Sequence, residues 1–250
     1  MQKSYTRTIV LIVCALLVGV GIFLVVRQGS SSIPSGPSSD ESQENPDTEL
    51  EATVEAHFQK GQEYNRAGQL LEAASEFRTV IALDPENAAA HHNLGVTHIQ
   101  LQDLSSAISE FEIAVELEPK DPDTRYQLGA SYLYLALAGA ESGDSEQFLE
   151  QAQNEFETAL ELEEDMPQAL IGLGNIYNQQ GDYAAAIQML KRAIEKAPDL
   201  PEAYYALGEA YARSNDVANA CETYSQFAKM NSPSVWQDQA RQVMTALGCP

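Results

Sequence analysis

The chain has 250 residues, 44% of them apolar, and sets 37 Asp and Glu against 14 Lys and Arg for a formal net charge of −23. Such a balance is repelled by phosphate backbones and anionic headgroups, which excludes a nucleic-acid partner and a body held to a membrane by charge. The apolar share is that of a globular chain, so the acidity does not imply disorder throughout.

The charge is unevenly placed. Residues 1–30 carry Lys3, Arg7 and Arg27 and no acid, residues 31–50 carry five acids, and the remaining 200 carry 32 acids and 11 bases. Residues 1–7 read as a short polar N-terminus. Ile9 to Val26 is an 18-residue apolar run without a charge; as a helix it is roughly 27 Å long, close to the ~30 Å hydrocarbon core. Residues 8–27 are therefore expected to anchor the chain in a lipid bilayer. A cleaved signal peptide is the rival, because the charged start fits one. Its apolar region is usually only ~7–15 residues, however, and Val25-Val26-Arg27-Gln28 lacks the small residues of a cleavage site. Cys14 follows Leu11-Ile12-Val13, but Val13 stands where lipidation would need a small residue, so Cys14 reads as a membrane-buried thiol. Ala15 and Gly19 form a small-xxx-small pair that would let two such helices approach. Two basic residues precede the run and one follows it. The positive-inside rule then puts the N-terminus in the cytoplasm and the body outside it, periplasmic in a bacterial single-pass membrane protein.

Residues 28–50 are Ser, Pro, Gly and acid, with Ile33 the lone aliphatic side chain before residue 49. Nothing there repays the entropy of ordering, so the segment is expected to be a flexible tether with a reach of roughly 25 Å.

From residue 51 to 233 the chain repeats itself. Gly61, Gly95, Gly129, Gly174 and Gly208 are spaced 34, 34, 45 and 34. Ala73, Ala107, Ala152, Ala186 and Ala220 are spaced 34, 45, 34 and 34, which confines an 11-residue insertion to the stretch between Tyr132 and Ala152. The repeats run at about 54–87, 88–121, 122–166 with the insertion, 167–200 and 201–233, and a last segment covers 234–250. Within each, contacts spaced i, i+3 and i+4 predict two amphipathic helices, A and B, with small residues where they cross. Ala67-Gly68-Gln69 and Gln180-Gly181-Asp182 separate A from B, and Leu83-Asp84-Pro85 and Lys196-Ala197-Pro198 end B. Pro233 to Leu247 predicts a final helix whose stripe of Val235, Trp236, Ala240, Val243 and Met244 covers the open end of the stack.

The motif aromatic-x-x-Leu-Gly-x-x-Tyr, then Ala-x-x-x-Phe, then Pro, resembles the tetratricopeptide repeat. Repeat one supplies His57, Lys60-Gly61, Tyr64, Ala73, Phe77 and Pro85; repeat two supplies His91, Leu94-Gly95, His98, Ala107, Phe111 and Pro119. Repeat three supplies Leu128-Gly129, Tyr132, Ala152, Phe156 and Ala159, with Glu164 for the proline. Repeat four supplies Leu173-Gly174, Tyr177, Ala186, Leu190 and Pro198, and repeat five Tyr204, Leu207-Gly208, Tyr211, Ala220 and Tyr224. The resemblance implies an all-α fold: an α-solenoid of five helix hairpins with a C-terminal capping helix.

The same resemblance implies that the A helices line a concave groove and carry the binding site. The groove residues so implied are Phe58, His92, Val96, Ile99, Tyr126, Leu133, Tyr134, Ile171, Asn175, Asn178 and Tyr205, an aromatic and aliphatic strip with amides and few charges. Such a strip suits a protein or peptide segment with an apolar face; the alternative is packing at repeat junctions. The carboxylate clamp of chaperone-tail receptors is not matched. Asn93 fits it, but Phe58, Gln62, Asp123 and Gln127 occupy the other places. The inserted hairpin, with 11 acids and no base between Arg125 and Lys191, is expected to protrude as an acidic knob, solvated or a second contact for a basic partner.

No phosphate loop, metalloprotease helix or nucleophile elbow is present in the sequence, and His57, His91 and His98 fall at aromatic positions of the repeat rather than at ligand spacing. No catalytic residue, cofactor, metal or small-molecule substrate is expected. Cys221 and Cys249 would form a disulfide in an extracytoplasmic body, or stay free thiols. The expected function is a membrane-anchored scaffold or adaptor in assembly of an envelope complex; the alternative is a holdase-like periplasmic chaperone for exported or unfolded chains.

Overall fold

The computed structural model describes residues 46–139 and 144–249, which form eleven helices and no strand. The span expected at residues 8–27, with Cys14, and the tether up to residue 45 lie outside the described residues. Among the described residues no helix is long and apolar enough to cross a membrane.

The helices are α1 (Pro46–Arg66), α2 (Leu70–Leu83), α3 (Ala88–Gln100), α4 (Leu104–Leu117), α5 (Pro122–Ala138), α6 (Ser145–Leu162), α7 (Pro167–Gln180), α8 (Tyr183–Lys196), α9 (Pro201–Arg213), α10 (Val217–Phe227) and α11 (Ser234–Leu247). Odd numbers up to α9 are A helices and even numbers B helices. One boundary and one buried face depart from the sequence expectation. The first helix starts at Pro46, inside the stretch assigned to the tether, and runs 21 residues. Proline is tolerated as a first helical residue because its missing N–H would have had no partner there. In the capping helix Trp236 and Ala240 are buried and Val243 and Met244 pack against their cluster, but Val235 is 53% exposed. At 100° per residue Val235 sits off the stripe that Trp236, Ala240, Val243 and Leu247 share.

Local chemistry sets the ends. Asn87, Asp103, Asp182 and Asp216 each cap a helix by accepting from the N–H three residues on, and Asp121 caps α5 through two N–H groups. Pro122, Pro167 and Pro201 open α5, α7 and α9. The A-to-B turns need a left-handed residue, supplied by Gly68 and Gly181 and, in repeats two and five, by Gln102 and Asn215.

Each hairpin closes on one contact. A Cβ added at Gly61, Gly95, Gly174 or Gly208 would lie 2.6–2.8 Å from the side chain of Phe77, Phe111, Leu190 or Tyr224, and one at Gly129 would lie 3.0 Å from Phe156. Glycine lets the B-helix side chain press against the A-helix backbone. Beside it Ala73, Ala107, Ala152, Ala186 and Ala220 are wholly buried, as are Val80, Ala159, Ala193 and Phe227 further along the B helices. The insertion lengthens α5 to 17 residues and α6 to 18, against 13 or 14 for α3 and α4, and leaves the crossing alone. Residues 140–143, the middle of that turn, lie outside the described residues.

Each B helix packs on the next A helix, and successive A helices also touch, whereas successive B helices do not pack appreciably. The stack therefore curves with the A helices inside. At its end Cys221 and Cys249 are joined in a disulfide, with their Cα atoms 5.5 Å apart and 28 residues of separation. Closing that loop contributes on the order of 3–4 kcal/mol in the chain-entropy account and ties α11 to α10.

Gly95→Ala tests the crossing. Its methyl would sit 2.7 Å from Cε1 of the buried Phe111 ring. Overpacking costs about 1–3 kcal/mol and outweighs the ~1 kcal/mol of helix propensity gained. Thermal denaturation should show a lower Tm with helix content unchanged by circular dichroism.

Candidate functional site

The inward face of the A helices is where this architecture can meet another chain, and the structure sorts its predicted residues into two groups. Ile99, Tyr126, Leu133, Ile171 and Asn178 are buried. Phe58, His92, Val96, Tyr134, Asn175 and Tyr205 are half-buried. The apolar part of the predicted groove is thus largely repeat packing. Phe58, His92 and Tyr205 set their rings edge-on to Phe77, Phe111 and Tyr224, the rings that fill the glycine crossings, and Tyr126 tilts against Phe156. Tyr205 also packs on Trp236 of the cap and donates its hydroxyl to Gln239. His92 is held by polar contacts as well. Its Nδ1 lies 2.7 Å from the Thr124 hydroxyl, and because that hydroxyl donates to Asp121 the imidazole N–H is the donor. Burial pushes the His92 pKa down, so the ring is held neutral.

What stays reachable is richer in amides than in hydrocarbon. Gln62, Asn65, Asn93, Gln100, Gln127, Asn175 and Gln179 are half-buried on A helices, beside Val96 and Tyr134. Beneath these amides Asn65 Oδ1, Asn178 Oδ1 and Glu202 Oε2 are closed to solvent and without a hydrogen-bond partner. Asn178 spends its amide N–H on the Ala206 carbonyl, 3.1 Å away on the next A helix. The face also carries two acids whose ionisation burial disfavours. Burial raises the pKa of Glu202, and it raises that of Glu209 against the opposing pull of Arg213, which lies 3.4 Å away.

A second array escaped the sequence reading. His57, His91 and Arg125 occupy one A-helix position in repeats one to three, and each meets an acid one residue before the crossing ring. His57 Nδ1 lies 2.6 Å from Glu76, His91 Nδ1 lies 2.7 Å from Glu110, and Arg125 donates to Glu155 at 2.8 Å. The spacing was open to view: the pairs are 19, 19 and 30 residues apart, the last lengthened by the insertion. In repeats four and five Leu170 with Met189 and Tyr204 with Thr223 replace them. Lys60, and after it His57, hold the Glu76 carboxyl below its ordinary range. Among the described residues no group of three or more His, Cys, Asp and Glu is arranged to hold a metal ion.

Models of the tetratricopeptide repeat match residues 64–133, 174–215 and 202–232. Among solved structures, a thermophilic TPR protein of Thermus thermophilus is 19% identical over 77% of this chain and 99% of its own, with a TM-score of 0.63. PilW, a widely conserved type IV pilus biogenesis factor, is 18% identical over 78% of this chain and 86% of its own, with a TM-score of 0.66. YrrB, a TPR protein with an unusual peptide-binding site, is 18% identical over 77% of this chain and 97% of its own, with a TM-score of 0.59. At these identities the likeness is one of fold. No curated protein matches the chain at a significant level.

The buried carboxyl of Glu202 carries a pH signature. Its folded pKa is raised above the ordinary 4.5, so the folded state binds the proton more tightly and stability falls as pH rises through that window. Glu202→Gln should leave Tm nearly unchanged near about pH 4 and raise it near about pH 8, as scanning calorimetry at the two values would show.

Proposed function

The chain belongs to the tetratricopeptide-repeat family, and we propose that it is a protein-interaction scaffold that holds an extended segment of a partner along the inner face of its A helices. The observation that carries this reading is the set of buried acceptors without donors, Asn65 Oδ1, Asn178 Oδ1 and Glu202 Oε2, set among half-buried amides and rings. An unpaired buried acceptor costs about 1–3 kcal/mol, and a turn of these side chains toward the inner face would let N–H groups of an incoming chain relieve it. Amides both donate and accept, so they suit the exposed backbone of an extended peptide. The half-buried rings at Phe58, Tyr134 and Tyr205 offer side-chain contacts along the same path.

The scaffold works at a membrane, in assembly of an envelope complex. The apolar, uncharged run from Ile9 to Val26 supports the anchor. The body lies outside the cytoplasm, a placement supported by the charge order of the flanks and by the Cys221–Cys249 disulfide, because such bonds persist in oxidising compartments. PilW and YrrB, a pilus biogenesis factor and a peptide-binding protein by description, lend the fold's precedent to both halves of this reading.

A photoreactive residue at Asn175 or Gln179 should trap a discrete partner in native membranes, whereas one at Glu195 on the exposed face of α8 should not. Equal trapping at both places, or none at either, would overturn the inner-face reading. The location has its own readout. Both Cys221 and Cys249 should resist alkylation in freshly isolated membranes until a reductant is added; two free thiols there would place the body in the cytoplasm.

A further inference from the structure

The groups on the inner face of repeats three to five have a polarity that narrows the partner's chemistry. Glu202 sits in the first turn of α9 with Oε2 buried and without a hydrogen-bond partner. No cation among the described residues pairs with it. Arg213 is committed to Glu209 at 3.4 Å and stands over the Tyr183 ring at 5.3 Å, and Lys191 stands over Tyr211. One neighbouring group points to a ligand independently of the acid. Asn178 is 1% exposed, and its Oδ1 is unpartnered. The amide is pinned to Ala206, one helical turn beyond Glu202 on α9.

We propose that this part of the inner face receives a lysine or arginine side chain of the bound segment, with Glu202 as its counter-charge and the Asn178 oxygen as its neutral acceptor. The assignment rests on the scaffold reading above and adds the residue type that the scaffold selects. An ammonium brings three N–H donors and a guanidinium five, and both need acceptors only. A charge-assisted bond to a carboxylate shielded from water is worth about twice a neutral one. A carboxylate-bearing segment would meet the opposite: Glu202 and Glu209 repel it, and no free cation among the described residues of this face receives it. The long-range field agrees, because 37 acids against 14 bases draw a basic segment toward the molecule before contact. A backbone N–H alone could pair with Glu202, but it would leave the carboxylate's charge uncompensated in a shielded place.

Fluorescence anisotropy with the full-length protein and labelled peptides of roughly 12 residues tests this. The peptides are identical except for Lys, Arg, norleucine or Glu at one central position. The Lys and Arg peptides should bind about tenfold more tightly than the norleucine peptide, with the Glu peptide weakest. Glu202→Gln should bring the Lys-to-norleucine ratio to within about twofold, and Glu195→Gln, at an exposed site on α8, should leave the ratio as it was. Glu202→Gln keeps the shape and removes an unpaired charge, so a Tm at or above that of the native protein confirms that the variant is folded. Equal binding of the Lys and norleucine peptides would overturn the basic-residue assignment while leaving the scaffold reading standing. A ratio that survives Glu202→Gln overturns it too, by tracing the preference to overall charge. If none of the four peptides binds, both readings fall.

Discussion

The structure depends on a glycine in each A helix lying under a ring, or under Leu190, of its B helix. A backbone can approach a phenylalanine that closely only where no Cβ intervenes, and the contact then locates both helices along their axes at once. A slip of one residue would swing the ring about 100° away from the notch and put a side chain where the glycine was. This explains why the hairpin tolerates 11 extra residues. They lengthen α5 and α6 beyond the crossing, so Gly129, Ala152 and Phe156 keep the relation that Gly95, Ala107 and Phe111 have.

The crossing also governs what the inner face can offer. The ring that fills the notch is itself covered from the inner side by Phe58, His92, Tyr126 or Tyr205. Side chains that sequence position assigns to a partner are used in part to support the hairpin, Tyr126 wholly and Phe58, His92 and Tyr205 by about one face. Stacking adds to this, because each A helix is also packed on by the preceding B helix, and Ile99, Leu133 and Ile171 end up buried. The part left over is the polar part. Amides and acids resist complete burial, and apart from Asn178 they stay at least partly exposed along the arc.

Charge acts in two opposite ways in this protein. Outside the inner face, acids are held in their ionised form by partners: Glu76 by Lys60 and His57, Asp165 by Lys196 and Arg192, and Asp103 by Ser106 at a helix cap. These contributions are present above the ordinary carboxylate range and fade as acid titrates them. On the inner face, burial disfavours ionisation of Glu202 and Glu209. Their contribution runs the other way, weakening the fold as pH rises. The excess of acid is therefore mostly a solubilising coat, with a small part held under strain where a partner would meet it.

The sequence by itself determined the repeat, its period, the place of the insertion, the caps and turns, and the final helix, because each is a local pattern recurring at a fixed interval. Gly68 and Gly181 announce their turns, and Asp103, Asp182 and Asp216 announce their helices, without reference to any other part of the chain. The early start of α1 at Pro46 was hidden because residues 48–53 are exposed and carry no apolar period. The His57–Glu76, His91–Glu110 and Arg125–Glu155 pairs were present in the register but join different helices, so each half looked like an ordinary substitution. Only the tertiary structure decided which inner-face residues stay within reach of a partner. Exposure there depends on how far the stack curves and on which ring covers which notch. Both are set by contacts between repeats, as when Asn178 of the fourth repeat donates its amide N–H to the Ala206 carbonyl of the fifth.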